Sequence, residues 1–241
     1  MFVNLLVLTA NPFFEAYLHS DFMGKAIFIG LVLLSISSWI VLIYKVWLTQ
    51  AARKNSYRFN AAFQQQKQTP LNLPVEGSAD PNPFFDLYAI LKRQTMEILN
   101  KNRIFSKKET TYLSPSDIDL VQAHLMSGIS SQVKHLEKYL FILSTVVSLG
   151  PFLGLLGTVW GILTTFSEMQ ASVGSSTNQM VIGGLSLALA TTVLGLVDAI
   201  PALIGYNYLK NSIRDFETDM EGFSTDILAS VELQYRQVDV Q

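Results

Sequence analysis

The chain has no cysteine among its 241 residues. Disulfides, thiolate metal sites and a cysteine nucleophile are therefore excluded. Charge is scarce too: 15% of residues are charged, against about 25% in an ordinary soluble domain. Histidine is nearly missing. His124 and His135 could share a helical face, but two imidazoles without a third ligand make no metal centre, and His19 stands apart. Neither a metal site nor a cofactor is expected. The net charge of −2 supplies no basic field of the kind nucleic acid requires.

What the sequence has in quantity is apolar surface. Hydrophobic residues make up 49% and the mean hydropathy is +0.31, which marks a membrane protein. A bilayer core about 30 Å thick needs roughly 20 apolar residues in a helix. Nineteen uncharged residues lie between Lys25 and Lys45, and twenty-nine between Lys138 and Glu168. A third window, from Glu168 to Lys210, carries one charge, Asp198. Its span is expected to start near Met180. Of seventeen Lys and Arg residues, thirteen fall from Lys45 to Lys138 and three after the third window. By the positive-inside rule the N-terminus is outside and the C-terminus inside.

The first twenty residues lack a basic start and an A-x-A cleavage pattern, so they read as an interfacial amphipathic segment and not a signal peptide. The boundaries follow: a periplasmic amphipathic segment at 1–24, spans at 25–48, 139–167 and 180–209, a cytoplasmic loop domain at 49–138, a periplasmic loop at 168–179, and a cytoplasmic helix at 210–241. Within the loop domain, "QQQKQTPLNLPVEGSADPNP" is a linker, and Asn82 with Pro83 opens a helix. "SPSD" (Ser114–Asp117) is a helix start. From Ile118 to Leu140 a three-four apolar spacing predicts one helix running straight into the second span. Ile213, Phe216, Met220, Phe223, Ile227 and Val231 carry the third span into the tail in the same way. The fold class is all-α: a polytopic membrane protein with three transmembrane helices, the second and third extended into a cytoplasmic helical bundle. The stretch from Lys45 to Lys138 is net +5 and the tail from Lys210 net −4, which suits their packing together.

Two small-residue faces stand out. Gly150, Gly154, Gly157 and Gly161 share one face of the second span, and small residues let helices approach closely in lipid. In the third, Gly184, Ala188, Thr191, Gly195, Asp198, Ala202 and Gly205 fall within roughly 100° of arc. Asp198 therefore belongs to a packing face and points away from lipid. Intramembrane carboxyls are costly and by default functional, often in proton relays; desolvation there favours the neutral acid. The alternative is a solvated rim, since counting from Met180 puts Asp198 about 27 Å along the span, near its inner edge.

"GPFLGLLGTVWGI" (Gly150–Ile162) with "ALATTVLGLVDAIPALIGYN" (Ala188–Asn207) resembles the TolQ/ExbB proton-channel family, with the flagellar stator MotA as a more distant relation. The resemblance covers the whole three-span plan. It implies a bacterial inner-membrane protein, a pentameric homo-oligomer surrounding a single-span TolR/ExbD-like partner. Proton-motive force is then passed to a TolA/TonB-like periplasm-spanning protein. Thr158 and Thr192 match the family's pore-lining threonines, so the ion pathway is expected to use Thr158, Thr192, Thr191 and Asp198. The glycines fit packing between subunits: Gly150, Gly154, Gly157 and Gly161 in one span, Gly184 and Gly195 in the other. One position departs from the pattern. Where the family commonly has a glutamate this chain has Leu187, and Asp198 stands where alanine is usual. Either the carboxyl has moved along the same face, or the partner alone handles protons. A non-conducting oligomeric scaffold for a single-span partner is the alternative function. An intramembrane enzyme is not expected, because one carboxylate without a second acid, metal ligands or a nucleophile–base pair assembles no mechanism.

Overall fold

The computed structural model describes residues 13, 17, 20–67, 69–74, 80–105, 112–171 and 177–235. Most of the predicted N-terminal segment at 1–24 and part of the loop at 168–179 lie outside them. The described residues form five helices and no strand: α1 (Phe22–Gln65), α2 (Pro83–Phe105), α3 (Pro115–Glu137), α4 (Leu140–Ala171) and α5 (Thr177–Tyr235). The chain divides into two compact units, one of residues 1–44 and 139–208, the other of 45–138 and 209–241. α1, α4 and α5 are each long and apolar enough to cross a membrane.

Helix starts follow local chemistry. Asp21 Oδ1 accepts the Gly24 amide at 2.8 Å, and Asn82 Oδ1 accepts the Phe85 amide at 3.2 Å. Ser114 and Asp117 form a reciprocal capping box with Pro115 at the first turn. α4 and α5 run through Pro151 and Pro201 without a break. Each proline withholds one helical hydrogen bond, which a membrane helix tolerates.

Two expectations are corrected. α1 does not end with the first span but continues to Gln65, so the first and third spans are the ones that run on as single helices. The second does not. α3 ends at Glu137, the Lys138 amide closes on the Lys134 carbonyl at 3.1 Å, and Tyr139 takes φ of 72° before α4 begins. A left-handed tyrosine breaks the ladder although the apolar spacing continues across it. The freed carbonyls at the end of α3 find Lys45, whose Nζ donates to Leu136 O at 2.8 Å and to His135 O at 3.4 Å. Lys45 is 1% exposed. Its side chain serves as a cationic C-cap at the helix end that favours positive charge.

The unit of residues 45–138 and 209–241 has an aromatic core. Phe84 stacks on Phe223 at 4.3 Å and on Phe216 at 5.8 Å, with Phe59 and Phe63 edge-on to Phe223. Such pairs add about 0.5–1.5 kcal/mol each beyond burial. The predicted stripe from Ile213 to Val231 is buried throughout. Tyr88 donates to the Leu73 carbonyl at 3.3 Å, and burial pushes its hydroxyl up to about 12.

Replacing Lys45 by Met leaves the last carbonyls of α3 without their donor. Thermal unfolding of the detergent-solubilised protein should show a loss of about 2–3 kcal/mol, the range for charge-assisted bonds. A second outcome concerns acid. Burial works to raise the Asp117 carboxyl, but hydrogen bonds from Ser114 and Asn102 outweigh it and hold it below its ordinary value. A carboxyl lowered in the folded state stabilises above its unfolded pKa of about 3.9. That contribution fades as pH falls through the folded value, and Asp117→Asn should flatten this part of a Tm-against-pH curve.

Candidate functional site

In the unit of residues 1–44 and 139–208, α4 and α5 meet along their small-residue faces. A methyl group added at Gly154 would lie 3.0 Å from Thr192 Cα and 3.1 Å from the Thr191 carbonyl. One at Gly150 would lie 2.9 Å from the Gly195 carbonyl, and one at Gly161 3.1 Å from Ala188 Cβ. Gly157 faces the Thr191 side chain, Gly195 faces Gly150, and Gly184 faces the Thr165 hydroxyl. As residue numbers rise along α4 they fall along α5, so the helices are antiparallel. All six glycines face the seam between α4 and α5 within the one chain.

The seam places the threonines differently. Thr192 is half-buried, and its Oγ1 donates across the seam to the Gly154 carbonyl at 3.1 Å. Thr191 is 1% exposed, donating to the Ala188 carbonyl of its own helix at 2.9 Å and filling the space beside Gly157. Thr158 is half-buried and donates to the Leu155 carbonyl at 2.7 Å. One turn of α4 separates Thr158 from Gly154, the carbonyl that Thr192 holds. A hydroxyl both donates and accepts, so such a row can relay a proton or solvate an ion.

Asp198 turns to a different neighbour. It is 6% exposed; Ser35 of α1 lies beside its carboxyl, and Oδ2 has no hydrogen-bond partner. Further along the same face, Gly205 lies against the Leu42 side chain. Seven residues separate Ser35 from Leu42 and Asp198 from Gly205, so α1 and α5 lie side by side in parallel. The small face of α5 is thus shared, Gly184 to Gly195 meeting α4, Asp198 and Gly205 meeting α1. Asp198 is buried among helices as its periodicity predicts, and it is not brought together with Thr158 and Thr192. On α1, Ser35 is ten residues from both Lys25 and Lys45. The Leu187 side chain lies outside the described residues.

Sequence reasoning missed Ser35 and Asp21. Asp21 Oδ2 accepts the Trp160 indole N–H at 2.8 Å, tying the start of α1 to α4. An isolated serine in an apolar run carries no signal until the helix it faces is known.

The profile of the MotA/TolQ/ExbB proton channel family matches residues 96–222, which contain the whole seam. The chain is 31% identical to the Tol-Pal system protein TolQ of Pseudomonas aeruginosa over 191 residues, 78% of this chain and 79% of that one. It is 27% identical to TolQ of Haemophilus influenzae over 220 residues, 88% and 90% of the two chains. Against the biopolymer transport protein ExbB of Salmonella typhimurium it is 26% identical over 242 residues, 98% and 92%.

Because the atoms opposite Gly154 and Gly195 are backbone, a side chain there forces the helices apart. Gly154→Ala and Gly195→Ala should each destabilise by about 1–3 kcal/mol, the usual cost of overpacking. Gly30, with nothing within 4 Å of an added methyl, should accept alanine without loss. Unfolding in detergent, compared across the three variants, checks the seam.

Proposed function

The chain belongs to the MotA/TolQ/ExbB proton channel family, and on that premise we propose that it is the channel-forming subunit of a proton-driven motor in a bacterial inner membrane. In this reading several copies, five by family resemblance, surround the span of a TolR/ExbD-like partner. The Thr158 and Thr192 hydroxyls line the route by which protons reach that partner, and the resulting motion acts on a TolA/TonB-like protein spanning the periplasm. The N-terminus faces the periplasm and the C-terminus the cytoplasm. The chain itself performs no covalent chemistry.

The observation that carries the reading is the glycine–threonine seam. It holds α4 and α5 in contact through backbone atoms while placing the Thr192 hydroxyl on the Gly154 carbonyl. A second reading, a scaffold that clamps a single-span partner without conducting, is favoured by Leu187 at the position where a glutamate is common.

Thr192→Val keeps the shape and removes the hydroxyl. With the single-span partner co-expressed, the channel reading expects proton uptake by energised vesicles to fall at least tenfold while the oligomer still assembles. A scaffold would assemble and support its downstream function unchanged. Deletion of the chain then separates the two services, a leaky envelope marking envelope maintenance and lost energised uptake across the outer membrane marking import.

A further inference from the structure

The seam leaves one feature of the membrane unit unaccounted for, a carboxyl that faces away from the threonines. Asp198 is buried and one of its oxygens has no partner. Beside it is the Ser35 hydroxyl, midway between Lys25 and Lys45 on α1. Pro201 has no N–H to return to the Val197 carbonyl, so that acceptor beside the aspartate lacks its usual helical donor. Among the described residues no ion pair involves Asp198.

We propose that Asp198 and Ser35 form a proton-binding site between the first and third spans of a single copy, apart from the Thr158 and Thr192 route. The ligand is a proton bound to the carboxylate of Asp198. The bound form is the neutral acid, whose O–H meets the need of the otherwise unpartnered oxygen, and release leaves a carboxylate held by the Ser35 hydroxyl alone. An unpaired buried charge is far costlier than a buried acid, so binding and release alter how tightly α1 can lie on α5. A sodium ion is poorly served here. The site offers one carboxyl, one hydroxyl and one spare carbonyl, too few oxygens for a dehydrated metal cation. Only the view that this proton belongs to a transport path rests on the channel reading; the site itself does not.

Two measurements test it on the full chain co-expressed with its partner. The first is labelling by an apolar carbodiimide, which needs a protonated carboxyl in an apolar setting, followed by mass spectrometry across pH with and without sodium. Strong labelling of Asp198 near neutral pH, indifferent to sodium, is expected. An ordinary solvated aspartate, with a pKa of about 3.9, would be protonated in only about one copy in a thousand there, and such loss of labelling overturns the site. Protection by sodium overturns the proton assignment. The second uses the natural lack of cysteine. Ser35→Cys combined with Asp198→Cys should cross-link on mild oxidation within one chain, leaving a monomer on a denaturing gel. A cross-linked dimer, or no cross-link, overturns the single-copy placement. Asp198 labelling together with a Thr192→Val variant of unchanged proton uptake supports the site while removing the channel reading. The opposite pair of results removes the site and leaves the channel.

Discussion

Close contact between α4 and α5 is the constraint on which the membrane unit depends. Lipid offers these helices no hydrophobic drive toward each other, since the tails are as apolar as the side chains. What remains is contact, and contact requires that backbones approach. The glycines at positions 150, 154, 157 and 161 and the small face from Gly184 to Gly195 remove the side chains that would prevent it. Thr192 adds a hydrogen bond across the seam and needs the short distance to make it. Once α5 is set against α4, the rest of its small face is directed at α1. Asp198 at Ser35 and Gly205 at Leu42 then fix how far along one another those two helices lie.

The other unit is held by different physics. Its core is aromatic and buried from water, with Phe84, Phe216 and Phe223 stacked and Tyr88 fully enclosed. Its surface ion pair, Arg53 with Asp219 at 3.8 Å, is more than a third exposed on both sides and contributes little. The costly element is Lys45, a buried cation satisfied by the last carbonyls of α3. It makes the end of that helix a defined place, next to the left-handed Tyr139 where the chain changes from one unit to the other.

Periodicity made much of this legible. The three apolar windows, the capping box at Ser114, the buried stripe from Ile213 to Val231 and both small faces are properties of spacing, and spacing survives folding. What periodicity could not supply was the break at Tyr139, because apolar spacing runs across a dihedral change without interruption. Nor could it extend α1 to Gln65, since Arg53 to Ser56 is polar and looks like the end of a span. The neighbour of Asp198 on α1 was out of reach for another reason. Register between helices is a relation that neither helix contains alone. The family match likewise confirms what the glycine and threonine pattern implied about a membrane proton channel, while the packing partner of that pattern came only from the fold.

A buried polar pair between helices has a plain explanation, adhesion, and Asp198 with Ser35 does not fit it well. Hydrogen bonds between membrane helices average only about 0.6 kcal/mol, whereas a carboxyl within a span costs several times that on any scale. Adhesion would be served more cheaply by serine or threonine, as Thr192 shows with its bond to the Gly154 carbonyl across the seam. A buried carboxyl with an oxygen that has no hydrogen-bond partner is a poor adhesive. It is a suitable holder for a proton, because the neutral acid supplies the missing hydrogen and removes the charge in one step. The apolar surroundings that make the ion costly make the bound proton useful, since its arrival or departure changes the charge within a helix that continues unbroken to Tyr235.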